Sequence, residues 1–286
     1  NGETFTGKAV EYNKAAYESY SRALKAYETF VETTDDDVID KRDIAKRKES
    51  AWIRIYKEGE KLRTEGNSKD ALEIFRLSYN LDTNRIEPLI RMKEIYTTDL
   101  NDKAKAEQIM LQLYNAKPNE LPIIQELAAY YYNEKNYSEA LKYFEQARLQ
   151  IPNDSNNLLN IAACHSELKD FASSLTVIEQ VLSLEPNNVD ALTNAQMLAA
   201  ATGNNTARIG YLKRLLTIRD NDDDYTAICA LLNIEKQYPE LLTYAGKWYA
   251  YDNTNKTAVQ FLLLGAQQTQ NKALIKQYSD ILQKMQ

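Results

Sequence analysis

Three prolines, Pro118, Pro152 and Pro186, stand 34 residues apart, and this period constrains the fold more than any other feature of the 286-residue chain. The same step connects Met110, Phe144 and Ile178, and again Leu113, Ala147 and Val181. Ala106 and Ala140 share it, with Ser174 next in the series. One interval upstream, Ala71 and Phe75 precede Ala106 and Met110 by 35 residues, a one-residue slip. A period of this length means a supersecondary unit that cannot bury its apolar face alone and so stacks on copies of itself.

Within a unit the apolar spacing is helical. Ile124, Leu127, Ala128 and Tyr131 fall at i, i+3, i+4 and i+7. After a polar break at Asn133–Asn136, Tyr137, Ala140, Leu141, Phe144 and Ala147 repeat the pattern. Asn153, Asp154 and Ser155 then offer N-caps for the next helix. Composition agrees: 8 Gly and 6 Pro are few for a sheet protein, whose many tight turns need both. The fold class expected is all-α, built from helix–turn–helix units.

These units resemble the tetratricopeptide repeat. Ile124-x2-Leu127-Ala128-x2-Tyr131, Ala140-x3-Phe144, Ala147 and Pro152 follow that family's pattern. Leu158, Ile161, Ala162, His165, Ser174, Ile178, Val181 and Pro186 follow it in the next unit. Upstream, Ile55, Gly59, Leu62, Ala71, Phe75 and Ser78 keep it without the closing proline. The unit from about Glu87 keeps Ile90, Ala106, Met110 and Pro118 but has Glu94 where a small residue is wanted, and Arg208 breaks the pattern in the same way downstream. The resemblance is strong over Ala51–Asn188. It implies a right-handed superhelical solenoid of antiparallel helix pairs.

The organisation expected is a long-helix N-terminal cap over 1–50, about five repeats over 51–222, and divergent helix pairs with a C-terminal capping helix over 223–286. The cap is read as one helix over Phe5–Glu32, with Tyr12, Ala16, Tyr20, Ala23, Tyr27 and Phe30 as its apolar stripe. A second helix begins near Asp35–Asp37 and runs to about Glu65. Beyond Asp223 four helices fit Tyr225–Gln237, Pro239–Tyr251, Lys256–Gln270 and Lys272–Lys284. Two registers compete there: plain alternating pairs, or one that uses Gly246, Tyr249 and Ala258 as the small, aromatic and small positions and leaves the first of these helices unpaired.

No catalytic constellation appears in the sequence. His165, the single histidine, replaces the repeat's tyrosine on a packed face and reads as a core or boundary residue rather than a general base. A zinc site needs three or four ligands, so no metal is expected. Cys164 and Cys229 lie almost two repeats apart and read as buried free thiols. The acidic groups Asp35–Asp37 and Asp220–Asp224 lack the spaced pattern of a calcium loop. No cofactor is called for. A net charge of −6 argues against nucleic acid, and no stretch approaches the roughly 20 apolar residues of a membrane span.

The resemblance also implies a functional groove. First helices of such arrays line a concave face that binds protein partners. By position that face carries Tyr56 and Glu60, then Arg91 and Ile95, then Gln125, Ala129, Tyr132 and Asn133, then Asn156, Leu159, Asn160 and Ala163, then Asp190, Thr193, Asn194 and Met197. Arg91, Gln125, Tyr132, Asn156, Asn160 and Asn194 are the candidate peptide-binding residues. Asn160 and Asn194 recur one period apart, suited to pairing with the amides of an extended peptide. The cationic clamp by which some family members hold a C-terminal carboxylate is missing; Arg91 is the one cation on this face. The expectation is a non-enzymatic interaction scaffold. A glycan- or small-ligand-binding envelope protein, or a module cut from a larger regulator or enzyme, are the alternatives. The start at Asn1 and the Asn- and Tyr-rich composition favour an exported bacterial protein with its signal removed over a cytoplasmic one.

Overall fold

The computed structural model describes residues 41–285 and, ahead of them, Lys14, Ala15, Glu18, Ser19, Arg22, Ala23, Lys25, Ala26 and Thr29. Those nine positions are helical, within the span expected of the N-terminal helix, and Ala23 of its stripe is exposed. The rest of that stripe and the Asp35–Asp37 start lie outside the described residues.

Every regular element among the described residues is a helix. In chain order these are α1 (Lys41–Thr64), α2 (Ser68–Leu81), α3 (Glu87–Glu94, continued by a π-helical turn Ile95–Asp99), α4 (Lys103–Ala116), α5 (Leu121–Asn133), α6 (Tyr137–Gln150), α7 (Ser155–Glu167) and α8 (Phe171–Leu184). Then come α9 (Val189–Ala201), α10 (Asn205–Ile218), α11 (Asp222–Ile234), α12 (Tyr238–Tyr251), α13 (Lys256–Gln268) and α14 (Lys272–Lys284). Three- to five-residue connections make consecutive helices antiparallel neighbours. The helices group into two compact units, Asn1–Leu127 and Ala128–Gln286.

One turn recurs seven times among the described residues and marks every passage from a first to a second helix. Its middle residue has positive φ: Gly66, Asn101, Lys135, Lys169, Gly203, Lys236 and Gln270. The next backbone N–H reaches back to close the first helix, as Asn136 to Tyr131 O (2.9 Å), Asp170 to His165 O (2.8 Å) and Gln237 to Leu232 O (2.8 Å). That next residue also caps the second helix. Asp102, Asn136, Asp170, Asn204 and Asn271 each accept a backbone N–H through the side chain. The marks at Lys236 and Gln270 decide the register after residue 223: plain alternating pairs, α11 with α12 and α13 with α14. The helices of the described residues thus form seven such pairs, α14 being the second helix of the last.

The small residues sit where helices of a pair touch. Gly59, Ala128, Ala140 and Ala162 are all buried. A Cβ on Gly59 would stand 2.7 Å from the Phe75 ring. Ser174 is buried and donates its hydroxyl to Ala162 O at 2.8 Å. Where the pattern breaks, polar side chains pair: Arg208 Nε donates to Gln196 Oε1 at 3.1 Å, filling both close-packing positions of the α9–α10 pair at once. The core of the first unit centres on Ile55, Phe75, Leu89, Ile95 and Leu113, and that of the second on Leu158, Ile161, Leu192, Leu212, Ile228 and Trp248.

Candidate functional site

The six candidate residues divide between the two units. Arg91 and Gln125 belong to the first, Tyr132, Asn156, Asn160 and Asn194 to the second.

In the first unit the sequence expectation of a lone cation does not hold. Arg91 Nε donates to Tyr56 Oη at 3.2 Å and lies 2.7 Å from Glu60 Oε1, and its Nη1 lies 3.0 Å from Glu94 Oε2. Glu94 also accepts from Arg63 Nη1 at 2.5 Å, and Arg63 Nε lies 3.5 Å from Asp99. Glu94 occupies a position where the repeat has a small residue, and its carboxylate bridges two guanidinium groups. Burial opposes its charge, but the hydrogen bonds from Arg63 and Arg91 prevail and hold its pKa below the ordinary glutamate value. The bonds to Tyr56 and Glu94 raise the Arg91 pKa further. This first-helix face is neutralised from within, and a ligand anion would have to displace a carboxylate already bound. Ile95, expected on the same open face, is instead fully buried in the core of the first unit, and Gln125 is exposed on α5.

In the second unit a hollow of about 340 Å³ opens among α5, α7, α8 and α9. Tyr132 and Asn194 both line it, together with Ala163 and Met197 of the same first-helix face. Its floor is apolar and buried, with Ala162, Ile178 and Leu198 at 1%, 2% and 5% exposure. Met197, at 60% exposure, stands open to solvent. Burial raises the Tyr132 pKa, with Cys164 and Glu167 nearby adding to the shift, so the phenol stays neutral and able to donate. Asn156 and Asn160 are exposed on α7 but do not line the hollow.

Several lining residues escaped sequence reasoning: Ser166, Glu167, Phe171 and Ala201. The signal was present as a size pattern. Tyr131 and Tyr132 of α5 correspond, one and two periods on, to His165 and Ser166 of α7 and to Ala199 and Ala200 of α9. The aromatic bulk of one unit thus gives way to smaller side chains in the two units after it.

The other candidates are structural. His165 Nδ1 lies 3.3 Å from Asp170 Oδ2, across the turn it helps to close. Cys164 and Cys229 are free and buried, and burial pushes their pKa values up to about 11 and about 12. In the Asp220–Asp224 segment the side chains are used locally. Tyr225 Oη donates to Asp220 at 2.6 Å, Trp248 Nε1 to Asp222 at 2.6 Å, and Arg219 Nη2 to Asp224 at 3.2 Å. Among the described residues no group of three or more His, Cys, Asp or Glu could hold a metal ion, and no helix is long and apolar enough to cross a membrane.

Residues 131–201, which hold the whole hollow, match the family model of the tetratricopeptide repeat. Similar solved structures include a tetratricopeptide repeat protein from Parabacteroides merdae, at 12% identity and TM-score 0.49, covering 81% of this chain and 98% of that one. MamA from Desulfovibrio magneticus matches at 15% identity and TM-score 0.46, covering 59% and 98%. Pseudomonas aeruginosa pilF matches at 14% identity and TM-score 0.44, covering 75% and 97%. No curated protein sequence matches the chain.

Proposed function

From a chain built on tetratricopeptide repeats, we propose a non-enzymatic scaffold that binds a protein segment on the first-helix face of its second unit. One observation carries this reading: Tyr132 and Asn194, singled out by repeat position alone, meet at one hollow with Ala163 and Met197. Neither Asn194 nor Asn160 has a side-chain partner among the described residues. A primary amide both donates and accepts, so two of them spaced one repeat apart suit the alternating N–H and C=O groups of an extended backbone.

Arg91 and Gln125 take no part in this assignment. The first lies in an internal ion-pair network and the second in the other unit. A carboxylate-terminal clamp has no support either, since the second-unit hollow carries one cation, Lys169, beside one anion, Glu167. Both thiols are buried, with raised pKa values that suppress the nucleophilic thiolate.

Affinity capture from a native lysate, with the Asn160→Ala/Asn194→Ala double variant run in parallel, tests the proposal. Partners retained by the parent protein and lost by the variant are the expected outcome. Equal recovery by both forms would remove the amide face from the binding site.

A further inference from the structure

We propose that the hollow between α7 and α9 is an anchor subsite, taking one bulky uncharged side chain, leucine- or phenylalanine-like, from the bound segment. The inference rests on the segment-binding reading above and adds the chemistry that the segment must present.

The floor sets the first requirement. Ala162, Ile178 and Leu198 offer only carbon, and the hydroxyl of Ser174, the one polar side chain among them, is already donated to Ala162 O at 2.8 Å. A charged or strongly polar group pushed to the bottom would lose its water and find at most the remaining acceptor capacity of the Ser174 hydroxyl, which leaves its desolvation cost largely uncompensated. The walls set the second. Met197 is a flexible thioether exposed by 60%, and Tyr132 presents a half-buried ring on the other side. Thioether and aromatic surfaces adapt well to an inserted apolar side chain.

Charge sets the third. The two ionic residues at the hollow, Glu167 and Lys169, are of opposite sign and both exposed, so the opening favours neither an acidic nor a basic visitor. Size agrees: about 340 Å³ is at the lower end of ligand cavities, room for one large side chain and not for a folded element. Asn194 on the rim leaves an amide for the backbone of the residue that delivers the side chain.

The four methionines make the test direct. With ¹³C-methyl methionine labelling the protein gives four signals, of which Met92 and Met110 are buried controls. The probes are the N-acetyl amides of phenylalanine, leucine, lysine and glutamate. The phenylalanine and leucine amides are expected to shift the Met197 signal in a saturable way. The charged amides should need at least tenfold higher concentration, and the two buried methyls should stay still. Ala163→Phe and, independently, Ala201→Phe should fill the hollow and abolish the response; two sites are used in case one variant folds poorly.

No response to the apolar amides, an equal response to the charged ones, or a response that survives in a folded filled variant would each overturn the anchor. Capture of lysate partners without any Met197 response removes the anchor alone. A Met197 response with no difference in capture between parent and amide variant keeps the apolar subsite and removes the segment-binding reading.

Discussion

Gly59 lies inside α1, about a turn and a half before its end, where replacing glycine with alanine ordinarily gains about 1 kcal/mol of helix stability. Here the sign reverses. The added Cβ would stand 2.7 Å from Cε1 of Phe75, and that ring is itself fully buried, with no space into which to turn. Overpacking of this kind costs on the order of 1–3 kcal/mol, which outweighs the propensity gain. Gly59→Ala is therefore expected to lower the urea midpoint at unchanged slope, by a net ~1–2 kcal/mol; a raised midpoint would show that α1 and α2 are not in this contact. The requirement was legible in the sequence, because a small residue facing a large one recurs at fixed spacing. Arg91 was not. Its partners come from its own helix at Glu94 and from Tyr56 and Glu60 about one repeat earlier. Nothing in a linear pattern distinguishes a charge awaiting a ligand from one already neutralised by the preceding unit.

A single inserted residue explains the long interval at the level of elements. The sequence steps 35 residues from Ala71 to Ala106 instead of 34, and α3 ends in the π-helical turn Ile95–Asp99, where Leu100 N–H reaches Ile95 O. The bond that closes the turn into α4 runs from Asp102 to Tyr96, spanning six residues where Asn136 to Tyr131 and Asp170 to His165 span five. A π-turn absorbs an extra residue without rotating the downstream helix, so Ala106 and Met110 return to the core. Deleting exposed Thr98 should therefore convert the turn to ordinary α-helix. Helicity by circular dichroism should be kept, and stability should change by no more than about 1 kcal/mol, mostly from contacts of the shifted Asp99. Deleting equally exposed Ala129 from α5, which has no spare residue, rotates Tyr131 out of the core by about 100° and should cost several kcal/mol. Equal losses in the two variants would refute the insertion account. The slip itself was visible in the sequence; where the extra residue would be accommodated was not, since Thr97 and Thr98 are unremarkable helix-surface residues. The register after residue 223 was undecided for a related reason. The turn geometry that settles it falls on Lys236 and Gln270, residue types that give no advance sign of positive φ.

At the scale of the whole molecule the helices group into two units whose boundary falls within α5, between Leu127 and Ala128. No linker marks it, so composition could not have located it. The two tryptophans fall one to each unit, Trp52 in the first and Trp248 in the second, and both cysteines fall in the second. Stability in repeat stacks is a sum of local terms, and separate probes can therefore report separate regions. In a Trp52→Phe variant the remaining tryptophan fluorescence, excited selectively over the tyrosines, belongs to Trp248. At pH 8 the buried thiols, with pKa values raised to about 11 and about 12, should be inert to a disulfide reagent until the second unit opens. Thiol modification should then track the Trp248 transition along a urea gradient, point for point. Rapid labelling of either cysteine without denaturant would contradict their burial. The same shifts set an alkaline limit. An exposed thiol in the unfolded chain ionises near its ordinary value of 9.0, while the folded thiols hold their protons to about 11 and 12. Between those limits the unfolded state binds fewer protons, so stability should fall as pH rises from about 9 through 11. A Cys164→Ala/Cys229→Ala variant should lose less of its stability over that window than the parent, and an identical decline in both would assign the alkaline limit to other groups, such as the tyrosines.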